Sequence, residues 1–289
     1  MMFTAFLGFR GLATLSNVAA PLIFLISGIG LAIASAAIGG VDQMFAIGSD
    51  GTLTMGAAVT MVVGAFAVGG VIQPDITRYS KNSSHSLIGT AIGYIIAHSF
   101  VIIAGYGMCL VTGQGDVAMA MLLTLGGPAL LVLILAQWTT NDNNLYSSSL
   151  AFSNIFPVPK KKIVLIAGTI ATIIGAFGLV NYLTNWLIIL GTGVPPVAGI
   201  MIADYLVFNK SKYTYGKGTK YKSIGVEAFI AWILAIIVGF TFTWGISCIN
   251  SLVVGLVAYI ILKYIFKALK INGDIGNCVE DEKGLAAAE

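Results

Sequence analysis

The sequence contains few charged residues. Only 9% of its 289 residues are Asp, Glu, Lys or Arg, while 57% are hydrophobic. An ordinary soluble domain has about 25% charged residues. Because 15 basic and 12 acidic residues cannot form the polar surface that a water-soluble fold of this size needs, the composition excludes a soluble globular protein and indicates a lipid bilayer.

Cysteines and catalytic motifs are also scarce. The three cysteines, Cys109, Cys248 and Cys278, show no paired spacing, so neither a metal cage nor a disulfide framework is expected. The sequence has no H-E-x-x-H, no G-x-S-x-G and no Walker A loop. A membrane aspartyl hydrolase would need two carboxylates at one depth, whereas Asp142 is expected near the midplane and Asp204 at the inner rim. We therefore expect a protein that is not an enzyme and has no cofactor.

The hydrophobic residues form eight long stretches. A transmembrane helix needs about 20 mostly apolar residues, and this criterion predicts an all-α polytopic membrane protein with about eight transmembrane helices. The predicted transmembrane domain covers residues 1–272, and residues 273–289 are expected to form a solvated cytoplasmic tail. The predicted spans are 13–37, 55–72, 88–112, 129–153, 163–181, 184–207, 225–243 and 247–268.

The basic residues indicate the orientation of these spans. All of those in connecting segments occur in the odd-numbered ones, from Arg10 through the loop between Lys210 and Lys222 to Lys283, and Lys263 and Lys267 extend from the end of span eight. Because Lys and Arg near span ends are retained on the cytoplasmic side, both termini are predicted to be cytoplasmic. The membrane expected is the plasma membrane. The same rule explains the basic loop without a nucleic-acid partner, and none is expected.

Span four carries a run of polar residues near its middle, from Gln137 to Asn144. A rise of 1.5 Å per residue places Thr139 about 15 Å deep. Clustered hydroxyl, amide and carboxylate oxygens at that depth are typical of a cation or solute pathway. The alternative is hydrogen bonding between neighbouring helices.

Span two is rich in glycine at a similar depth. Gly64, Gly69 and Gly70 allow the helix to unwind, as in the broken helices of transporters, or allow close helix packing. Phe66 offers a flat face that suits stacking on a planar ligand.

Two further pairs are candidates for gating. Asp75 and Arg78, at the inner end of span two, form either a gate pair or ordinary charges at the membrane surface. Pro195 and Pro196 interrupt span six, which indicates either a flexible gating helix or a tolerated kink.

Three motifs resemble those of a known family. The strings from Gln73 to Tyr79 (QPDITRY), from Trp138 to Tyr146 (WTTNDNNLY) and from Val194 to Leu206 (VPPVAGIMIADYL) resemble bacterial cytosine permeases. These belong to the purine and cytosine branch of the nucleobase:cation symporter family. The resemblance covers about residues 8–269, and family members have about twelve spans, of which the first ten form two inverted repeats as in the leucine transporter. The eight spans here resemble family spans five to twelve, so the second repeat is complete and most of the first is missing.

The resemblance implies a symporter that binds a planar nucleobase together with a cation, Na⁺ or H⁺. Thr139 and Thr140 match the family's hydroxyl ligands of the cation, and Ala136 matches the position that donates a backbone carbonyl. Phe66 matches the aromatic residue that stacks on the base. Val68 stands where cytosine permeases tend to place serine, so the identity of the base stays open. The remaining expected substrate-site residues are Gly69, Asn141, Asp142 and Asn143.

The missing spans give two alternatives for the protein as a whole. We expect either an N-terminally truncated chain or a separate polypeptide that supplies the first four spans. An alternative from a different functional class is a membrane protein that does not transport. It would be a remnant or an interaction subunit that keeps the family motifs by descent. The sequence leaves open which base is carried, which cation is coupled, whether the chain transports alone, and the oligomeric state. The partners expected are membrane lipid and a small nucleobase.

Overall fold

The computed structural model describes residues 1–47, 53–178, 182–210, 220–271 and 274–280. Within these residues the chain is almost entirely helical. The α-helices in chain order are α1 (Met2–Leu7), α2 (Phe9–Ile38), α3 (Val41–Ala46), α4 (Met55–Thr77), α5 (Ser83–Ala91), α6 (His98–Thr112), α7 (Val117–Leu125), α8 (Gly127–Ile155), α9 (Lys160–Ala176), α10 (Leu183–Gly193), α11 (Pro195–Ala203), α12 (Val226–Thr241) and α13 (Ser247–Ala268). Two π-helical turns, Ile92–Ala97 and Asp204–Phe208, continue α5 into α6 and extend α11.

A helix or a run of consecutive helices overlaps each of the eight predicted spans. Five of these are long and apolar enough to cross a membrane, and α12 is a shorter apolar helix. The five are Phe9–Ile38, Met55–Thr77, Ser83–Thr112, Leu183–Phe208 and Ser247–Ala268. The predicted all-α polytopic architecture is thus confirmed, while the count of eight spans stays a prediction. Residues 179–181 of predicted span five, residues 211–219 of the basic loop and residues 281–289 of the tail lie outside the described residues.

The helices divide into two compact units. The first contains α1 to α3, the end of α4 from Ile72, and α5 to α9; the second contains α4 up to Val71 and α10 to α13. Small side chains are prominent in both cores, which lets helix backbones approach closely. The first unit buries Ala34, Met108, Ala120, Met121, Ala129 and Val132 in one cluster and Ala5, Leu12, Tyr146 and Val164 in another, and the second buries Ala203, Ala231 and Tyr259.

Helix α4 is continuous from Met55 to Thr77, so the unwinding that its glycines suggested is absent from this structure. Gly64 instead packs against α10, because a methyl group in its place would collide with the carbonyl of Leu187. Gly191 of α10 packs in the same way against the carbonyl of Thr60. Close packing through small residues therefore explains Gly64, whereas Gly70 faces open space.

The two prolines of predicted span six lie at a helix start. Helix α10 ends at Gly193, and α11 begins with Pro195 and Pro196 in its first turn, where a missing N–H costs no intrahelical hydrogen bond. The interruption leaves the Gly193 carbonyl without its helical donor, and Trp232 Nε1 donates to it at 2.7 Å. The predicted break is therefore present, with one of its freed carbonyls bonded to α12.

A short antiparallel strand pair accompanies the second unit. Strand β1 (Lys220–Gly225) pairs with β2 (Asp274–Glu280), with an irregularity in the register between Lys222 and Ile224. The segment expected as a solvated tail thus begins with a strand.

Candidate functional site

Helix α8 holds its polar run in regular helix because the side chains bond back to the preceding turn. Thr139 Oγ1 donates to the carbonyls of Leu135 (3.0 Å) and Ala136 (3.1 Å). Asn141 Nδ2 donates to the Gln137 carbonyl at 2.8 Å, and Asn143 Nδ2 to the Thr139 carbonyl at 2.9 Å. Such bonds satisfy polar groups inside one helix, so Thr139, Asn141 and Asn143 need no neighbouring helix to pair with.

One face of α8 groups oxygen atoms that suit a cation. The carbonyl of Ala136 lies 3.1 Å from Thr139 Oγ1, and Thr140 follows one turn after Ala136 on the same side of the helix. Ala136 and Thr139 are half-buried and Thr140 is exposed. Hard cations prefer oxygen ligands, and the binding of Na⁺ by these residues, with further ligands from other segments, stays a prediction.

Asp142 occupies the other side of α8. It is fully buried together with Tyr146 and Ser149, one and two turns further along. Trp138, one turn earlier, donates from Nε1 to Thr4 Oγ1 at 3.0 Å. The Thr4 hydroxyl and the backbone N–H of Asn143 lie near the carboxylate, but neither Oδ accepts a well-formed hydrogen bond from the described residues.

This burial separates Asp142 from the exposed residues of the polar run. Residues two apart on a helix point about 200° away from each other, so the Asp142 carboxylate does not share the exposed face of Thr140. Asn141 is exposed and Asn143 half-buried, and both remain candidates for substrate contact. Asp142 packs inside the first unit, and its contact with substrate stays a prediction.

The candidate residues of α4 belong to the second unit. The Phe66 side chain is 42% exposed, and Val68 and Gly69 are half-buried on the same helix. Their convergence with α8 on one binding site stays a prediction.

Arg78 bonds to tyrosines rather than to Asp75. Its Nη2 donates to Tyr79 Oη at 3.0 Å and to Tyr146 Oη at 3.2 Å, and the two tyrosine oxygens lie 3.0 Å apart. Burial opposes the charge on Arg78, but these hydrogen bonds outweigh it and raise the pKa of the guanidinium. Among the described residues no ion pair joins Asp75 and Arg78, and a gating role for these two stays a prediction.

Sequence reasoning missed a charged network in the second unit, which we call the carboxylate–lysine network. Tyr259 Oη donates to Asp204 Oδ1 at 2.7 Å, and Lys263 Nζ donates to Tyr259 Oη at 2.8 Å. Lys263 Nζ also lies 3.5 Å from Asp204 Oδ1 and 3.6 Å from Glu227 Oε1. Two features of the sequence could have indicated this network. Tyr259 and Lys263 are one turn apart on α13, and Glu227 is a lone acidic residue in the otherwise apolar helix α12.

The apolar helices define a class, the multi-pass membrane proteins. A sequence model of the family described as permease for cytosine/purines, uracil, thiamine, allantoin matches residues 1–266. The chain belongs to this family. Its resemblance to cytosine permeases is thereby confirmed, and the family consists of permeases rather than enzymes.

Individual relatives agree with the family. The chain is 33% identical to the cytosine permease of Escherichia coli strain K12 over 263 residues, which cover 91% of this chain and 62% of that protein. It is 22% identical to the hydantoin permease of Microbacterium maritypicum over 181 residues, which cover 54% of this chain and 37% of that protein. The chain thus spans less than two thirds of the length of the cytosine permease that it matches.

Proposed function

We propose that the chain forms part of a secondary transporter that imports a nucleobase, with cytosine as the first candidate, together with Na⁺ or H⁺. The observation that carries this proposal is the 33% identity to a cytosine permease over 91% of the chain. The family description adds purines, uracil, thiamine and allantoin as further candidates, and the hydantoin permease adds hydantoins. All of these compounds contain planar heterocycles.

The face of α8 with Ala136, Thr139 and Thr140 supports the coupling of transport to a cation. Two of its oxygens lie 3.1 Å apart, and the exposed Thr140 adds a third ligand one turn after Ala136. A bound Na⁺ would supply a positive charge that stabilises one conformation of the carrier. Because a ligand shifts a conformational equilibrium only through its different affinity for the two states, the cation would drive alternation between inward-open and outward-open forms.

The proposed substrate-binding residues are Phe66, Val68, Gly69, Asn141 and Asn143. Phe66 offers an aromatic face that is 42% exposed and suits stacking on a base, while the two asparagine amides supply hydrogen-bond donors and acceptors. Asp142 is left out because it is fully buried in the first unit. The break between α10 and α11 at Pro195 is the proposed flexible point of the gating helix.

We also propose a location in the plasma membrane with both termini in the cytoplasm. The support is the distribution of Lys and Arg, which within the connecting segments occur only in alternate ones, with Lys263 and Lys267 near the end of span eight.

Uptake of radiolabelled cytosine tests this function. Cells that lack their own cytosine permease would express either the chain alone or the chain together with the section of the E. coli permease outside the alignment. We expect saturable uptake that unlabelled substrate abolishes. The uptake should fall when choline replaces Na⁺ if Na⁺ is the coupled cation, or follow an imposed proton gradient if H⁺ is. The intact E. coli permease is the positive control.

Absence of uptake of cytosine, hypoxanthine, allantoin and hydantoin, with the protein detected in the membrane, would contradict the proposal. That result would favour the non-transporting membrane protein.

A further inference from the structure

A cluster of cations and tyrosines in the first unit combines residues just after α4, at the start of α9 and in the C-terminal half of α8. We call it the tyrosine–cation cluster, and it consists of Arg78, Tyr79, Tyr146, Lys160 and Lys161. Arg78 donates to both tyrosine hydroxyls, Lys160 Nζ lies 4.4 Å from the centre of the Tyr146 ring, and Lys161 Nζ lies 5.1 Å from that of Phe6. Phe9 stacks on Tyr79 with ring centres 3.8 Å apart. The cations are therefore held in place by aromatic side chains from several helices.

The cluster has more hydrogen-bond donors than acceptors. Arg78 has five N–H donors, of which its bonds to the tyrosines use only those on Nη2. The two tyrosine hydroxyls share one hydrogen bond with each other, which leaves one hydroxyl proton without an acceptor among the described residues. Arg78, Tyr79 and Lys161 are exposed and Lys160 is half-buried, so the unused donors are accessible.

The cluster also lacks negative charge. Among the described residues no carboxylate lies within 4.0 Å of Arg78, Lys160 or Lys161. The first turn of α9 contains three lysines and no acidic residue, the reverse of the usual preference at a helix start. Burial alone would raise the pKa of Tyr79, but hydrogen bonds with Tyr146 and Arg78 and the charges of Arg78 and Lys160 lower it overall. An anion with several acceptor oxygens would neutralise the positive charge and accept hydrogen bonds from the unused donors.

We propose that the tyrosine–cation cluster binds the phosphate of an anionic phospholipid headgroup, such as phosphatidylglycerol. The location favours lipid as the source of the phosphate, since Arg78 directly follows the membrane-length helix α4 and the three lysines that begin with Lys160 directly precede the apolar part of α9. Basic pockets between helix ends at a membrane surface are typical headgroup sites. Arg78 binds the phosphate through its free N–H groups, and Lys160 and Lys161 neutralise it. This proposal is independent of what the protein transports.

Native mass spectrometry of the purified chain tests the site. The chain is titrated with phosphatidylglycerol and, separately, with phosphatidylcholine of the same acyl chains, and the ratio of the two affinities is measured. The test variant combines Arg78→Gln with Lys160→Gln. The matched control combines Lys267→Gln with Lys270→Gln, which removes the same charge from exposed positions in the second unit.

We expect the wild type to prefer phosphatidylglycerol and the test variant to lose about 25-fold of that preference, from about fivefold for each cation. The control is expected to keep it within about twofold. Lys161→Gln, a milder change at an exposed side chain, is expected to lose about fivefold and serves if the double variant does not fold.

An unchanged preference in the test variant or in Lys161→Gln would overturn the proposal. An equal loss in the control would also overturn it, because the preference would then reflect general surface charge. Displacement of phosphatidylglycerol by millimolar inorganic phosphate would overturn the lipid assignment and identify a site for a soluble anion.

Discussion

Lys263→Met is expected to destabilise the second unit, because Lys263 is the cation of the carboxylate–lysine network. The Glu227 side chain is only 7% exposed, and its Oε2 accepts no hydrogen bond. Lys263 also bonds to Tyr259 and lies beside Asp204. Without the ammonium group, the carboxylates of Asp204 and Glu227 would lose the one cation that lies within 4.0 Å of both among the described residues.

The size of the effect follows from the burial of the partners. Removing one partner of a buried ion pair costs about 3–5 kcal/mol. The Lys263 side chain is 35% exposed and that of Asp204 is 24% exposed, so solvent screens part of the charge and the lower end applies, about 3 kcal/mol. At about 2–4 °C per kcal/mol, the unfolding temperature should fall by about 6–12 °C.

Reaction of Cys248 with a thiol-reactive dye during heating measures this change, because Cys248 lies on the same helix as Lys263 and is only 4% exposed. The background carries Cys109→Ser and Cys278→Ser, so that Cys248 is the one thiol. Lys267→Met, at an exposed position of the same helix, is the control and should change stability by less than about 0.5 kcal/mol. Adding Glu227→Gln to Lys263→Met should restore at least half of the loss. An unfolding temperature of Lys263→Met equal to that of the wild type would refute the reasoning.

Three further predictions concern α4 and α8. Gly64→Ala places a methyl group against the Leu187 carbonyl and should lower the free energy of unfolding, measured by thermal unfolding, by about 1–3 kcal/mol. At Gly70 an added methyl group meets nothing within 4 Å, so Gly70→Ala should instead raise the free energy of unfolding by about 0.5–1 kcal/mol. Equal effects of the two variants would contradict the packing assigned to Gly64. Phe66→Ala should weaken base binding by about 1–3 kcal/mol through lost stacking, as measured by displacement of labelled cytosine, whereas unchanged affinity would remove Phe66 from the site. Thr140→Ala should raise the Na⁺ concentration needed for half-maximal uptake, while Thr140→Ser, which keeps the oxygen, should not; identical Na⁺ curves for all three proteins would speak against a cation at Thr140.

Hydrophobic length predicted most of the fold. Because a bilayer requires about 20 apolar residues per crossing, the positions of the helices could be read from uninterrupted apolar stretches, and the prolines at 195 and 196 marked the break between α10 and α11. The glycines of α4 were ambiguous, since the same residue permits both unwinding and close packing. Only the position of the Leu187 carbonyl beside Gly64 decides between the two in this structure.

The candidate site was predictable in residue type but not in direction. Helical spacing placed Ala136 and Thr140 on one side of α8, yet the sequence does not show that Asp142 turns into the first unit beside Thr4 and Trp138. The partners of Arg78 and Lys263 were also hidden. Tyr146 is 68 residues from Arg78, and Asp204 is 59 residues from Lys263, so both contacts depend on how helices pack rather than on local pattern.

Equilibrium binding of radiolabelled cytosine to the purified protein tests the central claim most directly. For this measurement the chain is reconstituted together with the part of the E. coli permease that does not align with it. The account predicts saturable binding that unlabelled cytosine displaces, that Na⁺ or a lower pH strengthens, and that Phe66→Ala weakens. A folded protein that binds none of cytosine, hypoxanthine, allantoin or hydantoin would contradict it.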